Sequence, residues 1–138
     1  MKSLALLAAC GCVLLIDAPA SGEDRPDVDC DNAQVQMELT YCAEQEFIAA
    51  DKLLNTQYKK TRDLMRARDA DADPSTAGAE KALVAAQRAW VTYRDAQCAS
   101  YGFQAHGGSM EPMLIYGCQA GLTAKRTDEL KELTEEGN

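Results

Sequence analysis

The chain has little with which to do chemistry. It carries one histidine, His106, and one tryptophan, Trp90, in 138 residues. A lone histidine among scattered serines supplies no nucleophile–base pair, and the sequence marks no two carboxylates as buried neighbours. An enzyme is therefore not expected, and neither is a cofactor or a metal. Basic residues are also scarce: 14 lysines and arginines face 22 aspartates and glutamates, a net charge of −8. That balance argues against nucleic acid and anionic lipid as partners and suits a cationic partner or plain solubility. No segment alternates apolar and polar residues as a half-buried strand would. The longest apolar run, Leu4 to Ile16, falls short of the ~20 residues that a membrane-spanning helix needs.

That run, preceded by Lys2 and followed by Ala18-Pro19-Ala20, has the form of an export signal cut after Ala20. A second reading takes Leu7-Ala8-Ala9-Cys10 as a lipobox, with Cys10 acylated. The stretch before Cys10 is brief and Cys12 to Ile16 stays apolar, which favours ordinary cleavage. The expected location is the periplasm or the exterior. Losing residues 1–20 removes Lys2 and Asp17 and leaves the net charge at −8. The remainder is sized for a single domain with a modest core.

Beyond the signal lie Cys30, Cys42, Cys98 and Cys118. An even set in an exported chain reads as two disulfides. Residues 21–31 are polar, aperiodic and contain Pro26, as expected of an extended arm; residues 32–134 form the domain. Ala43, Phe47, Ala50, Leu54, Tyr58, Thr61 and Met65 recur at steps of three and four, the mark of one buried helical stripe. A fresh start capped by Thr40 is compatible with the less regular Val35, Met37 and Leu39, and the helix is expected to end near Ala67. Pro74 interrupts the acidic link that follows.

A second helix is expected from Ala79 to Ser100, with Leu83, Ala86, Trp90 and Tyr93 as its seam and Val84, Val91 and Cys98 beside it. A third is expected to start at Ser109, an N-cap residue, with Glu111 and Pro112 in its first turn. On it, Ile115, Cys118, Leu122, Arg126, Leu130 and Leu133 share a face, and Lys125–Glu129 and Asp128–Lys131 are spaced for surface ion pairs. Arg126 is suited to a salt bridge or helix-end hydrogen bond. The fold class that follows is all-α: a three-helix antiparallel bundle stapled by two disulfides.

Helix lengths suggest a pairing. At 1.5 Å per residue, Cys42 stands roughly 37 Å and Cys98 roughly 30 Å from the hairpin loop. Cys42–Cys98 is therefore the expected bridge, which leaves Cys30–Cys118, although four cysteines permit three pairings.

Two segments are candidate sites. Asp69, Asp71, Asp73 and Glu80 have the spacing of a calcium loop. Pro74, however, stands where such a loop needs glycine, so a solvated acidic linker is the preferred reading. The segment Tyr101-Gly102-Phe103-Gln104-Ala105-His106-Gly107-Gly108 offers aromatics, a histidine and glycines beside a helix start. Tyr101, Phe103, His106, Gly107, Gly108 and Ser109 are the candidate partner-binding residues. The preferred reading nevertheless folds the two aromatics back onto the bundle and leaves the glycines merely to make the turn.

Cys30 and Cys42-Ala43, followed by Ala49-Ala50-Asp51-Lys52-Leu53-Leu54-Asn55-Thr56-Gln57-Tyr58, open a pattern. Gln87-Arg88-Ala89-Trp90-Val91-Thr92-Tyr93-Arg94-Asp95-Ala96-Gln97-Cys98 continues it, and Gly107-Gly108-Ser109, Cys118, Arg126 and Leu130 close it. Over about residues 30–134 the chain resembles the lysozyme inhibitor LprI-like family. The resemblance implies an exported helical binding protein without catalysis, with a cationic lysozyme as its partner. The alternative is an interaction module for another envelope component that inhibits nothing.

Overall fold

The computed structural model describes residues 28–135. The expected signal peptide, Cys10 and Cys12, and most of the expected arm lie outside the described residues. Three α-helices account for nearly all the rest: α1 (Gln36–Asp71), α2 (Ala79–Gly102) and α3 (Glu111–Glu135), with a 3₁₀ turn at Phe103–Ala105. No strand occurs among the described residues.

Helix α1 is one continuous element of 36 residues. It does not restart at Thr40, because Val35 C=O accepts Leu39 N–H at 3.0 Å while Glu38 reaches back to Gln34 N–H at 3.4 Å. That arrangement serves the first turn without a capping hydroxyl. The expected stripe is the observed one, with Leu54, Thr61 and Met65 buried along it.

The link to α2 is closed by a long-range cap. The Asp69 carboxylate, near the end of α1, accepts the N–H groups of Gly78, Ala79 and Glu80 at 2.8–2.9 Å. Those are orphan donors of the α2 N-terminus. These three hydrogen bonds hold the Asp69 carboxyl below the usual aspartate range. Gly78, at φ +136°, makes the turn that a side-chain-bearing residue would strain.

On α2 the buried line is Leu83, Arg94, Cys98 and Gly102, with Trp90 packed against the core. Tyr93, expected in the seam, is 55% exposed, and Val91 and Ala86 are exposed as well. The seam runs in steps of four from Trp90, which turns Tyr93 outward. On α3 the expected face is also rotated. Ala120, Thr123, Thr127 and Leu130 are buried, whereas Leu133 is exposed. Threonines replace aliphatic residues there because α1 passes close by. Thr61 Oγ1 lies 3.0 Å from both Gln57 O and Leu130 O, and Thr127 Oγ1 donates to Thr123 O.

Contacts between helices fix their register. Gln36 meets Met113 and Thr61 meets Leu130, so early and late residues of α1 face early and late residues of α3. Asp51 meets Arg94 and Arg66 meets Glu80, so α2 runs against α1. Leu54, Met65, Leu83 and Leu130 form the core at the end near the 72–78 link, with Tyr58 and Trp90 against it.

The disulfides correct the expected pairing. Cys30 bonds Cys42 and Cys98 bonds Cys118, with Cα separations of 5.6 and 5.5 Å. Neither Cys42–Cys98 nor Cys30–Cys118 forms. Helix α1 extends to Asp71 rather than Ala67, yet the axial offset of the two cysteines stays at the roughly 7 Å that the expected helix lengths gave, wider than the Cα separation a disulfide spans. The Asp51–Arg94 contact sets Cys98 level with about residue 47, roughly 7 Å along the axis from Cys42. Direction matters too: Cys98 is fully buried facing α3, and the arm turns back on α1 within the 12 residues that separate Cys30 from Cys42.

Candidate functional site

The end of the molecule opposite the 72–78 link gathers the start of α1, the end of α2 and the start of α3. Both disulfides lie there. Helix α2 ends close against α3: a Cβ on Gly102 would come within 2.6 Å of Ile115 Cγ1. Only glycine allows that approach without displacing Ile115.

The segment after Gly102 is tied down by Glu111. Its Oε1 lies 2.9 Å from His106 Nδ1, and its Oε2 accepts Gly107 N–H at 2.8 Å. The His106 contact first, then the Gly107 N–H, hold the Glu111 carboxyl below its ordinary range. Gly107 adopts φ +74°, the left-handed region, which aims its N–H at that carboxylate. The His106 ring stacks on Phe103, with centroids 4.3 Å apart and planes 3° from parallel. A further bond, Gly108 N–H to Ala105 O at 2.8 Å, completes the turn.

The candidate residues therefore sit together in one ordered segment, but not in every expected role. Phe103 does not fold onto the bundle, being 65% exposed and stacked on His106, whereas Tyr101, 45% exposed, lies partly against α1 and α3 beside Ala43 and Leu114. Ser109 is not the cap of α3, which opens at Glu111 with Leu114 N–H bonded to Met110 O. Glu111 does the end-ordering instead, by reaching back to residues 106 and 107.

Sequence reasoning missed two groups. Val35 and Met37, at the start of α1, are exposed at the same end, as is Met110. The signal was their position off the α1 stripe. The second group centres on Arg94, 8% exposed, whose guanidinium carbon lies 5.0 Å from the Phe47 ring centroid and 5.2 Å from that of Trp90. It bonds Asp95 at 2.8 Å and Asp51 at 3.4 Å. Phe47 also stacks near Tyr116. An arginine one turn after a tryptophan was visible in sequence but not its place between two rings.

Arg126 bonds Gln87 at 3.1 Å and Glu129 at 2.9 Å, a cross-helix contact and a salt bridge. Glu129 is thus paired with Arg126 rather than with Lys125, while Asp128–Lys131 forms at 2.7 Å. Among the described residues no group of three or more histidine, cysteine, aspartate or glutamate side chains could hold a metal. Asp69, first of the calcium-like spacing, is occupied by the α2 N-terminus. No described helix is long and apolar enough to cross a membrane.

The sequence profile described as Lysozyme inhibitor LprI matches residues 29–130. The chain belongs to the LprI family. Its four described cysteines, the Trp90–Cys98 run and the Gly107-Gly108-Ser109 turn all fall within the matched span. A protein of Rhizobium meliloti (strain 1021), described only as uncharacterized, is 52% identical over 126 residues, which covers 89% of this chain and 90% of the relative. No solved structure matches. Within this LprI-family chain the Trp90–Cys98 run has a structural reading. Trp90, Arg94 and Cys98, spaced by fours, supply a ring, the cation beside it and a disulfide to one face of α2.

Proposed function

We propose that this LprI-family chain is an exported, non-catalytic binding protein that inhibits lysozyme. It engages its target through the end of the molecule bearing Tyr101, Phe103, His106, Gly107, Gly108 and Ser109. The family match carries the lysozyme target. The site is supported by exposed aromatics on a backbone held by Glu111 and by the Cys98–Cys118 bridge. A segment already ordered before binding loses little entropy when it docks. The three helices form an antiparallel bundle in sequence order, up, down and up, which leaves this end free. Two disulfides suit a periplasmic or secreted chain released after Ala20.

Lysozymes of the basic kind hold two carboxyl groups in their cleft. The Ser109 hydroxyl offers a donor for such groups, and the acidic surface steers the encounter. The test is turbidimetric lysis of cell walls by several lysozymes with the oxidised protein added. Inhibition at nanomolar to micromolar concentration, weakened by salt and by Phe103→Ala, is expected. A flat dose–response across all lysozymes rejects the reading. The alternative is a periplasmic interaction module that uses the exposed apolar set at this end to bind another envelope component and inhibits nothing.

A further inference from the structure

Charge is distributed unequally between the two ends. Residues 28–51 carry Asp29, Asp31, Glu38, Glu44, Glu46 and Asp51 but no lysine or arginine. Residues 95–124 carry Asp95 and Glu111 and again neither lysine nor arginine. Every lysine and arginine among the described residues lies in 52–94 or 125–135. The Cys98–Cys118, Gln36–Met113 and Phe47–Tyr116 contacts bring the two cation-free segments into one half of the molecule. Arg94, where α2 enters this half, is buried between rings and offers no free charge to a partner.

That same half holds an open apolar hollow of about 560 Å³ between α1, the end of α2 and α3. Ala43, Tyr101, Leu114 and Leu122 line it with Gly117 and Gly121. A Cβ at either glycine would meet nothing within 4 Å. The two glycines, one turn apart, leave the α3 wall bare where side chains would otherwise fill the space. Glu46, three residues beyond Ala43, falls on the same face of α1. The polar lining is slight, so water held there is easily displaced by an apolar group.

We propose that this hollow receives an apolar side chain projecting from a lysine- and arginine-rich protein surface, whose cations meet the surrounding carboxylates. The proposal deepens the binding reading above, on which it rests, by moving the anchor from the 101–109 turn alone to the hollow beside it and by fixing the partner's chemistry. Charge complementarity selects the occupant: a second copy of the chain would bring two cation-free halves together, and like charges oppose that. Two disulfides and the Glu111 contacts hold the walls, so little ordering is needed on docking.

The test is binding measured by interferometry on the oxidised protein, with egg-white lysozyme, with pancreatic ribonuclease as a basic protein that is not a lysozyme, and with ovalbumin as an acidic control. Gly121→Leu fills the hollow. Leucine also favours the helix over glycine, so the fold is retained, as the melting temperature verifies. Affinity for the basic partner is expected to fall at least tenfold. Glu46→Lys is expected to weaken binding and flatten its salt dependence, whereas Glu132→Lys, the same charge change at the other end, leaves affinity within about twofold.

Loss of binding in Gly121→Leu without any inhibition of lysis by the parent protein would support the hollow and reject the lysozyme reading. Inhibition that Gly121→Leu leaves intact would overturn the hollow and spare the lysozyme reading. Failure to bind either basic protein, or equal weakening by Glu46→Lys and Glu132→Lys, overturns the inference.

Discussion

Arg94 shows how much one residue can matter to the structure. Its guanidinium lies close to the Phe47 and Trp90 rings and bonds carboxylates on its own helix and on α1. Cation–π attraction in a desolvated setting is worth up to about 2 kcal/mol, and the aliphatic stem adds packing. Arg94→Ala is therefore expected to destabilise the chain by about 2 kcal/mol or more in urea unfolding. Arg94→Lys should lose less but not be neutral, because an ammonium lacks the flat face. Equal stability of all three would show the rings do not need the cation.

Glu111 acts at the same scale through pH. Its folded carboxyl is held below the ordinary value of 4.5, so its contribution is present above that value and is lost as pH falls through the lower folded one. Hydrogen exchange at the Gly107 amide should therefore be slow near neutrality and lose protection below about pH 4.5. Glu111→Gln should remove most of that pH dependence. The same pH dependence of Gly107 protection in the parent chain and in Glu111→Gln would contradict the contact.

At the scale of elements, the helices were legible because their apolar spacing is local: the α1 stripe and the α2 bounds follow directly from sequence. The disulfide partners were not. A pairing depends on axial offset and on which way each cysteine faces, and neither the burial of Cys98 toward α3 nor the turn of Cys30 back onto α1 is written in apolar spacing. The α3 face was misplaced for another reason. Close approach to α1 favours alanine and threonine over leucine, so hydropathy alone pointed to the wrong side. That residues 101–109 make a turn beside a helix start was legible from their composition; that Phe103 stays exposed was not, because tertiary room decides it.

Gly102 belongs to this level too. Its backbone is ordinary helix, at φ −60°, so alanine would be tolerated by conformation. The 2.6 Å approach to Ile115 Cγ1 decides the outcome. Gly102→Ala is expected to cost about 1–3 kcal/mol through overpacking. Ile115→Ala added to it should recover part of that loss in a double-mutant cycle. A stabilising Gly102→Ala would show the helices can separate freely.

For the whole molecule, the two bridges close loops of similar length, and the chain-entropy estimate gives each about 3 kcal/mol. Cys30 is exposed, whereas Cys98 is fully buried. Limited dithiothreitol followed by alkylation and peptide mapping should therefore find Cys30 and Cys42 opened first, with Cys98 and Cys118 opening only as the helical circular dichroism is lost. Simultaneous labelling of all four would contradict this order.

The Asp69 cap has a practical consequence. Because the opening turn of α2 is fastened from α1, the short span from Asp73 to Ala77 is held only by local bonds back to Asp73. Splicing a foreign peptide or fluorophore tag between Pro74 and Ser75 should leave both helices joined as before. Such a graft would sit at the end remote from the cation-free half, giving a handle for immobilisation that keeps the proposed docking end facing solution.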